Sequence, residues 1–169
     1  MSTPDPAEPG QDAPRNLGRT MSERQGEKPK AQAFPRRDAD GRVISLAELV
    51  GAALGGTVVG LAAVALIDGL TTLLGLSDFG SASGWLAAIL PAFVFVEDFR
   101  GWKAAAGWRR WPVALVALTA GIGLGLLAAG LVDRLPNLLS GAVGAAVLAV
   151  VAALTWYSGM RVMDRGGAT

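Results

Sequence analysis

The 169-residue sequence has no cysteine and no histidine, a single tyrosine, and only 17% charged residues. Without thiols or imidazoles there are no disulfides, no Cys/His zinc sites and no haem held by His or Cys. The commonest general base and proton shuttle is missing too. Lysine is scarce, three against twelve arginines, and with abundant Ala and Gly this matches the usage of a high-GC bacterium. The net charge of +1 is too balanced for nucleic-acid binding. No GxSxG, HExxH, P-loop or Rossmann fingerprint occurs. No catalytic, cofactor-binding or metal-ligating residues are therefore expected, and an enzyme is not expected.

What is abundant is apolar surface. Hydrophobic residues make up 51% of the chain and mean hydropathy is +0.42, whereas soluble domains carry about 25% charge. The average hides a split. Residues 1–42 hold 15 of the 29 charged residues and six of the nine prolines, but only nine residues of the hydrophobic class. Such a segment cannot bury enough apolar surface to offset the entropy of ordering, so 1–42 reads as a disordered tail. Its Pro6-Ala7-Glu8-Pro9 matches PxxP, a pattern that a Pro-rich tail also produces by chance. Arg36-Arg37 lacks the hydrophobic continuation of a twin-arginine export signal.

Residues 43–169 form the second part. Ionisable residues there mark off four uncharged runs: 49–67 between Glu48 and Asp68, 79–96 between Asp78 and Glu97, 111–132 between Arg110 and Asp133, and about 136–160 before Arg161. About 20 apolar residues cross a hydrocarbon core of roughly 30 Å. The expected fold is thus an all-α integral membrane protein of four transmembrane helices, because lipid requires every backbone group to be satisfied internally. Pro91 is expected to kink the second span and to free a carbonyl one turn back. Pro136 and Asn137 start the last near the surface.

Basic residues cluster before the first span (Arg36, Arg37, Arg42), in the 97–110 loop (Arg100, Lys103, Arg109, Arg110) and at the carboxyl end (Arg161, Arg165), against Arg134 alone on the other side. Both termini are accordingly expected in the cytoplasm of a bacterial cell membrane. Trp102, Trp108, Arg109, Arg110 and Trp111 read as an anchor at the lipid headgroup boundary.

Glycine spacing gives the packing faces. Gly51/Gly55, Gly56/Gly60 and Gly121/Gly125 are each four apart, which places small residues on one helix face for close approach of another. Two successive pairs in the first span point to it as the centre of the packing. Gly56-x-x-x-Gly60-Leu61 also echoes Gly121-x-x-x-Gly125-Leu126 at an offset of 65 residues, continuing to Asp68 and Asp133. A duplicated helical hairpin would produce such an echo.

No ionisable residue falls clearly inside a span. Glu48 and Asp68 are twenty residues apart, about 30 Å on a helix, so they bracket the first span. Glu97 and Asp98 sit at a border, with Arg100 placed to pair with Glu97 at i, i+3. In size and helix count alone the chain is similar to small multidrug-resistance exporters, which carry an acid in the first helix. Glu48 lies only six residues past Arg42, too shallow for a midplane site.

The expected function is therefore non-catalytic: an accessory, assembly or scaffolding subunit of a bacterial membrane complex. Its expected partners are the lipid bilayer, other membrane subunits or further copies of itself, and a cytoplasmic partner for the tail. The alternative is a small oligomeric transporter or channel subunit, with Glu48 or Glu97 as the working acid.

Overall fold

The structure is a computed structural model that describes residues 34–166. The tail reading up to residue 33, with its PxxP match, lies outside the described residues. The described chain is 79% helical, with no strand among the described residues. We label the helices α1 (Leu46–Leu73), α2 (Ile89–Gly101), α3 (Lys103–Ala106), α4 (Arg110–Leu131) and α5 (Asn137–Gly166).

Three helical stretches are long and apolar enough to cross a membrane: α1, α3 running on into α4, and α5. The second uncharged run does not reach that length. Pro91 is the reason. It lacks an amide hydrogen, so it is tolerated only in the first turn of an α-helix. The chain therefore makes a 3₁₀ turn over Gly84–Ala88 and begins α2 at Ile89, two residues before the proline. The carbonyl of Ala87, four residues back, faces Gly60, where a Cβ would lie 2.8 Å from it.

α1 extends past both acids that were expected to bracket it. Ser45 caps its start and accepts from the Glu48 amide at 3.3 Å, an arrangement favoured at helix N-termini. At the other end Gly75, at φ 69°, closes the helix. Leu76 donates to the Thr71 carbonyl at 2.9 Å and Gly75 to that of Thr72 at 3.0 Å. This double bond set requires the left-handed conformation that glycine adopts without strain.

The packing centre is α5 rather than the first helix. In the most apolar window of each stretch, 44% of α5 is buried, against 28% of α1 and 22% of the stretch ending in α4. α5 packs against α4, the Gly84–Ala88 turn and α1, and α1 in turn packs on α2. The tightest approach lies at Gly84, where a Cβ would collide with the Leu138 carbonyl and the Ala142 amide of α5. Gly144 admits the Trp85 ring, 2.5 Å from where its Cβ would stand. The run Ser140-Gly141-Ala142-x-Gly144 carried this information in the sequence.

The echo between hairpins has a register slip. Ala87 and Ala152 are 65 residues apart, but Ala87 faces Gly60 while Ala152 faces Gly121, where a Cβ would stand 3.2 Å from it, and not Gly125. The second hairpin is thus displaced by one helical turn from the first.

Candidate functional site

One end of the bundle gathers the start of α1, the end of α2, α3, the start of α4 and the end of α5. An amino-terminal arm closes it. Residues 34–42 were expected to belong to a disordered tail, yet they form a tight turn paired back through Arg37 and Val43. Asp38 organises it: its carboxylate accepts from the amides of Asp40 (3.0 Å) and Arg42 (2.8 Å) and from Arg42 Nε (2.7 Å). Burial alone would raise the Asp38 pKa, but the bonds from Arg42 and its charge outweigh that and hold the carboxyl below its ordinary value. Asp40-Gly41 between Arg37 and Val43 is a hairpin signal that composition alone obscured.

The arm is tied to three helices. Glu48 of α1 accepts from the Arg36 amide at 3.0 Å and pairs with its guanidinium. Glu97 of α2 pairs with Arg37 at 2.9 Å rather than with Arg100. Arg161 of α5 donates to the Ile44 carbonyl at 3.1 Å. Gly101 allows the closest contact, since a Cβ there would stand 2.8 Å from Gly41. Glu48 and Glu97, the two acids singled out for transport, are thereby both engaged with arm arginines.

Beneath the arm lies the acid that the sequence reading left at a border. Asp98 is buried, and each carboxylate oxygen accepts one strong bond: from the Val43 amide at 2.7 Å and from Trp156 Nε1 at 2.7 Å. Its two donors, Val43 and Trp156, belong to one buried apolar cluster with Trp102 and Met160. A buried carboxylate needs such partners, because an unpaired one costs several kcal/mol. At the opposite end Asp68 is equally buried and accepts from the amides of Gly80 (2.6 Å) and Ala82 (3.0 Å). It pins the loop that leads into the Gly84–Ala88 turn.

The anchor residues divide. Trp108 is 77% exposed and Trp111 half exposed. Trp102 is instead buried in the core, with Arg42 stacked over its ring at 5.0 Å. Its partner is the arm, which the span pattern could not reveal. Arg109 borders a small cavity with Trp102 and Met160. Arg110 lies over the Phe99 ring at 4.4 Å and donates to the Phe99 carbonyl at 3.2 Å.

The six glycines divide as well. Gly56 faces Pro91 and Gly60 faces Ala87; a Cβ on Gly121 would stand 3.0 Å from the Leu148 carbonyl, and one on Gly125 2.7 Å from that of Gly144. A Cβ on Gly51 would stand 3.3 Å from the Phe34 ring of the arm. A Cβ on Gly55 would meet nothing within 4 Å among the described residues.

A cleft of about 850 Å³ opens between α2 and α4. These two helices stand apart, and α5 and the start of α1 form its floor through residues such as Ala149, Ala153, Leu49 and Ala53. Its walls are apolar, among them Phe95 and Leu118, and its rim at the arm end carries Arg100, Lys103 and Arg110. Glu48 and Glu97 do not line it. Comparison with protein-family models, with curated proteins and with solved structures returns no match.

Proposed function

We propose that the chain is a small four-crossing protein of the bacterial plasma membrane with both termini cytoplasmic. In this reading it works as a non-catalytic accessory, assembly or scaffolding subunit. The fourth crossing is Gly84–Gly101: five residues of 3₁₀ turn and thirteen of α-helix rise about 30 Å together, the thickness of the hydrocarbon core. Topology follows from the basic residues, which gather at the arm end while Arg134 stands alone at the other. A common origin of the two hairpins, one turn out of register, belongs to the same proposal.

The observation that carries the subunit role is the outward face of α4. This helix packs on α5 along one side only. Its other side presents Leu115, Val116 and Leu127, all more than half exposed, together with Gly123 and Gly130, where an added Cβ would meet nothing within 4 Å among the described residues. Small residues among large apolar ones admit another helix closely in lipid. The segment preceding the arm would meet a cytoplasmic partner. Both oxygens of each deeply buried carboxylate, Asp68 and Asp98, are bonded to groups of the fold, which fits a structural role for the two acids.

The test is the mass and composition of the protein's complex taken from native membranes in lipid nanodiscs. Companions in fixed ratio are expected. A homo-oligomer without companions would overturn the subunit reading in favour of transport, and a cysteine at position 48 labelled at full rate from the cytoplasm alone would argue against that alternative.

A further inference from the structure

We propose that the cleft between α2 and α4 is a binding site for one anionic phospholipid, its phosphate on Arg100, Lys103 and Arg110 and an acyl chain along the apolar walls. The inference rests on the membrane placement above and is independent of the subunit role.

Three observations converge. The first is charge. Arg100 and Lys103 are exposed at the rim and make no ion pair among the described residues. The neighbour that helical spacing assigns to Arg100, Glu97, is taken by Arg37. Arg110 is held in place by Phe99, and its Nε is buried with no partner. Cations next to an apolar surface call for an anion that brings its own apolar part.

The second is depth. From Arg110 to Leu118 the α4 wall descends about 12 Å, and from Arg100 back to Pro91 the α2 wall about 14 Å. Half of a hydrocarbon core of roughly 30 Å is about 15 Å. The cleft therefore runs from headgroup level through one leaflet and stops near the midplane, as a single phospholipid does. A helix from a second protein would instead continue across both leaflets.

The third is access. The cleft opens sideways between two helices, so a lipid enters from the bilayer without passing through water. Its floor is made of small residues, Ala53, Ala149, Ala152 and Ala153, which leave the volume unfilled.

The experiment is native mass spectrometry of the full chain in detergent, titrated with phosphatidylglycerol or with phosphatidylcholine of the same acyl chains. A one-to-one phosphatidylglycerol adduct is expected, with phosphatidylcholine held at least tenfold more weakly. Each cation near a membrane surface is worth about fivefold in binding, so Arg100→Gln with Lys103→Gln should weaken the phosphatidylglycerol adduct on the order of 25-fold. Both side chains are exposed, so thermal stability in detergent is expected to hold. Ala92→Trp, at an exposed position on the wall, should abolish the adduct by filling the cleft.

Equal retention of the two lipids, or wild-type phosphatidylglycerol binding by the double variant, would overturn the proposal. So would efficient disulfide dimerisation of Ala92→Cys, which would show a second copy in the cleft. Failure of the chain to remain in carbonate-washed membranes would instead overturn the membrane placement itself.

Discussion

Two carboxylates, Asp68 and Asp98, close the two ends of this bundle, and they do so over different distances along the chain. Asp68 accepts from amides 12 and 14 residues away, so it fastens a helix to the loop that follows it. Asp98 accepts from groups 55 and 58 residues away, so it fastens the arm, α2 and α5 together. The chemistry is the same, and the mechanical scope is not. A buried acid therefore serves here as a junction whose reach is set by where its donors lie in the sequence.

The comparison can be broken most sharply at Asp98. Asp98→Ala leaves Trp156 Nε1 and the Val43 amide buried without an acceptor. Hydrogen bonds to charged groups contribute roughly 1.5–3 kcal/mol each, so a loss of about 4 kcal/mol is expected in mixed-micelle unfolding. Trypsin cleavage after Arg36, Arg37 and Arg42 should rise in parallel. Asp68→Ala should cost less, about 2 kcal/mol, because the freed Ala82 amide is only part-buried and can turn to water, although that of Gly80 is buried, and tryptic cleavage of the arm should stay unchanged. Equal effects on the arm from both variants would remove the distinction between a local and a long-range junction.

Packing sharpens the contrast between the ends and the middle. Gly60→Leu drives a side chain into the Ala87 backbone and should destabilise by about 2 kcal/mol. Gly55→Leu meets open space and should change stability by less than about 0.5 kcal/mol. Loss of the exposed Arg37–Glu97 pair in Arg37→Ala should cost about 0.5 kcal/mol, visible only as slightly faster amide exchange in the arm.

The pH dependence of the arm gives the smallest effect. Asp38 has a lowered pKa in the folded arm, so its contribution is complete above the ordinary carboxylate range and is lost as pH falls through the lowered value. Protection of the Asp40 and Arg42 amides should accordingly fall in acid and remain constant at neutral pH.

The three long helices were legible because apolar length is a local property. The runs 49–67, 111–132 and 136–160 lie within or beside the helices Leu46–Leu73, Arg110–Leu131 and Asn137–Gly166. Treating every charge as a boundary failed where the acid finds donors inside the fold. α1 runs five residues past Asp68, since loop amides supply the hydration that the carboxylate gives up. Trp102 was unreadable for the same reason, as its neighbour Arg42 is 60 positions away. Of the cleft, the sequence displayed the cations and aromatics of its rim. It could not show that α2 and α4 stand apart, because that gap follows from the Gly84–Ala88 turn and α4 each packing on α5, through Gly84 and through Gly121 and Gly125.

The span of the Asp98 junction also sets an order of events during synthesis. Trp156 is made 58 residues after Asp98, and chain growth at roughly 5–20 residues per second takes about 3 to 12 seconds to cover that stretch. Until then Val43 is the one of the two donors to Asp98 that has been made. The end of the bundle that carries the arm is therefore completed after the Asp68 end, whose donors follow within 14 residues.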